Sequence, residues 1–303
     1  MTSKFEANYS NNTAANPMSG FETEVIANCI LNAPVMLLSI IGNALVLVAI
    51  LRTPSIRSPS VIFLCNLAVS DLLVGLVVEP AYIAEQIVRT VTVPQKAVKT
   101  MGFAGCSVSL WTITAITVDR FLALHYHLQY PNLMTTSRAI YTIITIWCII
   151  TLFTFSFIWS PSIYHYYVSA FGITISLLVN FVCFIKIHRI VRRHQLQIRV
   201  QQQAVENSTD TNNHRIQQST RNAKNIFIYF LAMILCYSPF SIVVIILGFT
   251  GVDLKVILTF SFTVVLMNSS INPFLYCWRM TELREAVFKA ARLFSCRETD
   301  ERV

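Results

Sequence analysis

Residues 61–87 read VIFLCNLAVSDLLVGLVVEPAYIAEQI. The run is apolar for most of its length and exceeds the ~20 residues that carry an α-helix across a bilayer. It nevertheless holds Asp71 in its middle and Glu79 just before Pro80. An acid at the centre of a membrane helix costs roughly 3 kcal/mol on insertion scales, so each such residue points to function. Outward from this stretch, similar runs occupy about 27–51, 96–122, 138–160, 167–187, 224–249 and 254–278. The run around Val168–Ile185 is the shortest and contains Asn180. The expectation is an all-α membrane protein, a bundle of seven transmembrane helices.

Composition agrees. Hydrophobic residues make up 54% of the 303, and charged residues 13%, about half the usual share of a soluble chain. Such a chain cannot cover itself with polar surface. That excludes a soluble enzyme, a nucleic-acid binder and a disordered protein. The net charge of +8 then reads as topology. With the N-terminus outside, all 23 Lys and Arg fall on the inner side except Lys4, Arg89, Lys96, Lys99 and Lys255. This bias sets the orientation as N-out, C-in.

Three parts follow: an outer segment at 1–26, the bundle at 27–278, and an inner segment at 279–303. Residues 1–25 contain no apolar signal-peptide core, so the first span is expected to direct insertion. Asn8 and Asn11 head glycosylation sequons in the outer segment. The third inner loop, about 192–222, is rich in Gln, Asn, Arg and His and reads as solvated and mobile. Thr281–Phe294 is amphipathic, with Leu283, Val287, Ala290 and Phe294 on one face. It reads as a short eighth helix on the inner leaflet, with Cys296 placed for palmitoylation. None of the eight cysteines lies in a clear outer loop, so no outer disulfide is expected.

Polar residues recur inside the spans. Asn43, Asp71, Ser109, Asn268, Ser269, Ser270 and Asn272 could meet as one cluster of oxygens and amides. Such a cluster suits a small hard cation or water. It equally suits a hydrogen-bond network joining helices, and taken alone the residues favour the network. Asp119-Arg120 at the inner end of the third span reads alone as a neutralised interfacial pair.

Rival membrane proteins fit less well. A metal hydrolase needs ligands facing one another in the bundle. The histidines, at 125, 127, 165, 188, 194 and 214, sit mostly in loops or at span ends. A transporter would show interrupted helices and more than the eight glycines present.

In combination the residues resemble the rhodopsin-like G-protein-coupled receptors. The matching motifs are Gly42-Asn43, Leu67-Ala68-Val69-Ser70-Asp71, Asp119-Arg120-Phe121, Trp147, Cys236-Tyr237-Ser238-Pro239 and Asn272-Pro273-Phe274-Leu275-Tyr276. They fall in order along the chain. Gln95 stands where the family has its outer-disulfide cysteine, and the second outer loop, about 160–166, is short and cysteine-free. That pattern is similar to the melanocortin, cannabinoid and sphingosine-phosphate branch. Gly102 replaces the acid of amine receptors, and Leu266 the lysine of opsins.

The resemblance implies a receptor rather than an enzyme. It implies a place in the plasma membrane, an extracellular small molecule, lipid or peptide as ligand, and a heterotrimeric G protein as partner. It implies a pocket among Gly102, Phe103, Cys106, Ser107, Tyr237, Phe240, Ser241 and Phe262. Glu79 is added as a buried acid, and a charged rim favours a peptide or amphiphilic lipid over an amine. Activation is expected to involve Asp119, Arg120, Leu128, Tyr130, Pro239, Asn272, Pro273 and Tyr276. Asp71, Ser109, Asn268 and Asn272 match the family's Na⁺ site, and no other cofactor is implied. The arginine's usual acidic partner in span six is absent from Ser219–Asn225, and Phe184 replaces a family tyrosine in span five. The missing acid implies basal signalling.

Overall fold

The structure is a computed structural model describing residues 17–53, 59–88, 95–156, 162–204, 209–250, 254–279 and 283–291. Asn8, Asn11 and Cys296 lie outside these residues. Every regular element described is helical. Seven helices are long and apolar enough to cross a membrane: Thr23–Arg52, Pro59–Ile87, Ala97–His125, Thr136–Ser156, Tyr166–Arg193, Ile228–Thr250 and Lys255–Trp278. They are called spans one to seven below.

The spans close into a ring. Neighbours pack in the order one, two, three, five, six, seven and back to one, with span four outside against two and three. The centre is filled by small and branched side chains such as Leu67, Ala68, Val74 and Leu266, all fully buried. Apolar packing does not by itself drive helices together in lipid, so close approach and polar ties matter. Gly42 supplies one approach: a Cβ there would stand 2.9 Å from the Pro273 ring. Trp147 Nε1 donates to Asn66 Oδ1 at 2.9 Å, and Asn66 Nδ2 donates to Thr112 Oγ1 at 2.8 Å. These bonds join spans two, three and four. Asn180 Nδ2 donates to Thr114 Oγ1 at 2.9 Å, and the Thr114 and Ser176 hydroxyls lie 2.6 Å apart. They join spans three and five.

Span two is not a uniform α-helix. Between Pro59–Leu73 and Glu79–Val88 the backbone forms a π turn, Val74–Val78. The Glu79 N–H reaches back five residues to the Val74 carbonyl. The widened turn lies directly before Pro80, whose ring cannot donate a backbone bond.

The inner connections depart from the sequence reading. The described parts of the stretch 192–222 are not coil: span five continues helically to Ala204, and the helix of span six begins at Thr209. No glycine or proline interrupts residues 186–222. Gln, Arg, Leu and Ala are good helix formers, so the polar stretch extends the spans into the aqueous phase. Residues 283–291 are helical, with Leu283 and Ala290 buried and Val287 against the core. Three residues of the expected apolar face of the eighth helix, Leu283, Val287 and Ala290, therefore pack on the bundle, and the fourth, Phe294, lies outside the described residues.

Candidate functional site

Three features lie along one interior path. The outermost is a cavity of about 260 Å³. Its body is aromatic, formed by Tyr82, Phe103, Tyr166, Phe240 and Phe262. Phe103 sits at the centre, its ring centroid 5.6 Å from Tyr166 and Phe262 and 5.7 Å from Phe240. Glu85, Gln86, Lys99, Lys255 and Thr259 add the polar lining. One Glu85 carboxylate oxygen is buried without a hydrogen-bond partner among the described residues.

Of the expected pocket residues, Phe103, Phe240 and Phe262 line this cavity. Gly102, Cys106, Tyr237, Ser241 and Glu79 are buried outside its lining, and Ser107 is half-buried outside it. Gly102 shows why. A Cβ at that position would stand 2.6 Å from the tip of the Phe262 ring. The Phe262 ring occupies the space that a side chain at position 102 would need. Glu79 is fully buried, and neither of its oxygens has a hydrogen-bond partner among the described residues.

Deeper in the bundle, Asp71 is fully buried. Ser109 Oγ donates to its Oδ1 at 2.6 Å, and Asn272 Nδ2 donates to its Oδ2 at 2.8 Å. Ser39 Oγ bonds the Asp71 carbonyl at 3.0 Å, and Asn43 Nδ2 bonds the Ser269 carbonyl at 3.0 Å. These bonds unite spans one, two, three and seven. Three of the four expected cation ligands therefore converge. Asn268 does not join them: its Nδ2 donates to the Tyr237 hydroxyl at 3.2 Å. A carboxylate surrounded by hydroxyls and amides, with no basic partner among the described residues, fits a small cation of oxygen preference. The Asn272 amide would turn its oxygen inward to join such a shell.

At the inner end, Asp119 is fully buried. Ser60 Oγ donates to its Oδ2 at 2.7 Å and the Tyr130 hydroxyl to its Oδ1 at 2.6 Å. Burial, and next the hydrogen bond to Asp119, push the Tyr130 phenol above its ordinary value, so it stays a donor at neutral pH. Arg120 Nε lies 4.0 Å from Asp119 Oδ2 and is a buried donor without a hydrogen-bond partner among the described residues. Tyr130 thus serves Asp119 and not Arg120, because the buried carboxylate takes the available donors.

Above Arg120 lies a cavity of about 30 Å³ lined by Arg120, Asn180, Phe184, Tyr229 and Tyr276, among others, room for about one water. Asn180 Oδ1 has no hydrogen-bond partner there among the described residues. Tyr229 stacks on Tyr276 with centroids 5.6 Å apart. Sequence reading passed over Tyr229; the available signal was a phenol ten residues before Pro239 in an apolar run. It also missed Tyr82, Tyr166 and Ser60, whose positions depend on helix rotation. Leu128 is 82% exposed, an apolar side chain presented at the inner end of the bundle.

A bundle of seven membrane-crossing helices, with an outer cavity, a buried acid at its middle and an arginine at its inner end, defines a multi-pass membrane receptor. Residues 42–160 and 156–276 match the model of the seven-transmembrane receptors of the rhodopsin family. The chain belongs to that family, whose members are receptors and not enzymes. It is similar to a Gq-coupled rhodopsin of Mizuhopecten yessoensis, 27% identical over 291 residues, covering 86% of this chain and 58% of the relative. It is similar to melanocortin receptor 4 of Danio rerio, 26% identical, covering 82% and 79%. It is also similar to cannabinoid receptor 1 of Xenopus laevis, 23% identical, covering 82% and 59%. The chain therefore spans less than two thirds of two of these relatives. Melanocortin and cannabinoid receptors are among them, as the missing outer cysteine suggested. Leu266, fully buried, holds the position at which opsins carry lysine.

Proposed function

We propose that this chain is a plasma-membrane receptor passing the binding of an extracellular peptide or amphiphilic lipid to a heterotrimeric G protein. One observation carries the reading. Tyr237, one turn before the cavity residue Phe240, is bonded by Asn268; Asn272, one helical turn on from Asn268, bonds Asp71, and Tyr276 stands one turn beyond Asn272. A ligand acting on Phe240 or Phe262 bears on the elements that carry Pro239, Pro273 and Tyr276. A two-state shift of these helices would alter the surface around Arg120 and Leu128. Two lysines at the cavity and the aromatic block at Gly102 weigh against a biogenic amine. The test is a second-messenger screen of transfected cells against peptide, lipid and amine libraries. An amine that activates potently, with no peptide or lipid hit, overturns the ligand class.

The same reading assigns Na⁺ to Asp71, Ser109 and Asn272, with Asn268 within one turn of Asn272. Bound Na⁺ neutralises the buried carboxylate and favours the inactive packing. Thermal stability of the purified receptor is expected to be higher in NaCl than in N-methylglucamine chloride. Asp71→Asn is expected to abolish the difference. Equal melting of the native chain in the two salts contradicts the assignment. Glycosylation at Asn8 or Asn11, and palmitoylation at Cys296, belong to this proposal; glycosidase and thioester-cleavage mobility shifts read them directly.

A further inference from the structure

Span five keeps one face turned out of the bundle from Phe171 to Arg193. Phe171, Leu178, Val182, Lys186, Arg189 and Arg193 are all exposed. Their spacings of 7, 4, 4, 3 and 4 hold them within about 80° of one another, at about 100° per residue. The buried Asn180, Ile187 and Val191 lie on the opposite side of the helix. The outward face is apolar as far as Val182 and basic from Lys186 onward, one turn later. The change falls near the inner end of the membrane-crossing stretch Tyr166–Arg193.

Topology alone does not require such a face. The bias of basic residues asks only that they lie on the inner side, not that they line up. Other inner cations are already engaged. Arg138 Nη1 donates to the carbonyls of Asn132 at 3.0 Å and Leu133 at 2.8 Å, and Arg120 lies beside Asp119. Lys186, Arg189 and Arg193 make no hydrogen bond or ion pair among the described residues. Lys186 Nζ stands 5.3 Å from the centre of the Phe121 ring, a contact that steadies an ammonium without neutralising it. No acid occurs in the sequence between Asp119 and Glu206. The three charges therefore stand uncompensated within about 11 Å along the helix axis.

A soluble anion would use the cations alone, whereas a phospholipid uses the cations and the apolar stripe together. A headgroup with one charge answers one cation of the three. Several phosphates on one ring answer all of them, and the forks of the two arginines match phosphate oxygens in pairs. We propose that this face of span five binds a phospholipid of the inner leaflet with a multiply phosphorylated inositol headgroup. Its phosphates lie on Lys186, Arg189 and Arg193, and its chains run along Val182, Leu178 and Phe171. The cytoplasmic leaflet is the anionic one, in keeping with the N-out, C-in orientation. Asn180, Phe184 and Ile187 line the cavity beside Arg120, so the lipid site is on the far side of span five from it and does not rest on the receptor reading.

The experiment titrates the purified full chain in detergent with a fluorescent phosphatidylinositol bisphosphate, read by anisotropy. Unlabelled lipid, phosphatidylserine and soluble inositol trisphosphate compete. The inositol lipid is expected to bind about ten-fold or more tightly than phosphatidylserine or the soluble headgroup. A basic residue near an anionic surface is worth about five-fold in affinity. The combined variant Lys186→Gln, Arg189→Gln, Arg193→Gln is expected to weaken binding by at least about ten-fold. Arg52→Gln removes an exposed arginine at the inner end of span one and is expected to change binding by less than about two-fold.

Each variant is first shown to melt near the native chain without lipid. If the combined variant does not, Arg189→Gln and Arg193→Gln decide singly, each with an expected loss of about three- to five-fold. Phosphatidylserine or soluble headgroup binding as tightly as the inositol lipid overturns the proposal, as does an equal loss in Arg52→Gln and the combined variant. Native-like lipid binding by the combined variant also overturns it. If that variant has then lost GTP turnover by added G protein, the face belongs to the protein partner instead.

Discussion

The hydroxyl of Tyr130 sets how firmly Arg120 is held. With Ser60 it serves Asp119 at 2.6–2.7 Å, while Arg120 stays at 4.0 Å. Removing the phenol leaves a buried carboxylate short of a donor, and the nearest replacement is the unpartnered Arg120 Nε. Tyr130→Phe is therefore expected to tighten the pair and lower ligand-independent signalling. A gain of ~1 kcal/mol in such a pair is about fivefold in the equilibrium between states. Second-messenger output at matched surface expression checks this; a rise counts against it. Tyr229 has the complementary role. Phe184 lines the inner cavity with no hydroxyl, and Tyr229 brings one to the same cavity, stacked on Tyr276. Tyr229→Phe is expected to lower G-protein turnover roughly two- to fivefold, on the scale of one hydrogen bond of ~0.5–1 kcal/mol, with the fold unchanged by circular dichroism. Asp71 and Asp119 were legible in the sequence because an acid in an apolar run stands out. Tyr229 was not, since a tyrosine there costs little and its partner depends on the rotation of two helices.

Among the elements, spans one and seven meet where a glycine faces a proline ring. The ring is rigid and cannot move aside as a flexible side chain would. Gly42→Val is expected to destabilise the bundle by about 1–3 kcal/mol, as over-packed cores do, seen as earlier thermal unfolding in detergent. Gly172, in span five, faces open space on its Cβ side. Gly172→Ala is expected to hold or raise stability by up to ~1 kcal/mol, the helix preference of alanine. Equal melting of both variants would show that the contact with Pro273 does not matter. Number and order of the spans followed from hydropathy alone, because ~20 apolar residues leave few alternatives to a membrane helix. The ends did not. Polar Gln- and Arg-rich sequence at 192–222 reads equally as coil or as helix in water, and only the absence of glycine and proline hinted at the helices that continue there. The cavity was half legible: its phenylalanines came from the pocket that the family resemblance implies, whereas Tyr82 and Tyr166 came only from the packing.

For the molecule as a whole, the balance between resting and signalling arrangements depends on few restraints. Among the described residues Arg120 makes one ion pair, at the 4.0 Å limit, and the segment Ser219–Asn225 of the span-six helix carries no acid. The receptor is expected to signal without ligand. Ala223→Glu, which supplies an acid on that segment, is expected to reduce this output. Output at vector-control level across all G-protein subtypes, at matched surface expression, contradicts the expectation. Opposing it, the Asp71 cluster ties four spans together near the middle of the bundle, so Na⁺ is expected to suppress basal output as it raises thermal stability.

The π turn at Val74–Val78 makes span two two helices in different phase. An α-helix turns by about 100° per residue, and a π turn accommodates one residue beyond the α repeat. Glu79, Tyr82, Glu85 and Gln86 therefore face where they do because of a single extra residue. In the history of a gene, losing one codon within 74–78 would restore the α repeat and leave both segments facing as they do, whereas straightening the turn with all its residues kept would rotate the outer segment by about one residue's angle. In the straightened helix Glu85 would leave the cavity and a neighbour would take its place, while Asp71 and everything below it kept their register. Substitutions that straighten one turn could thus change what such a receptor recognises while leaving intact the machinery by which it responds.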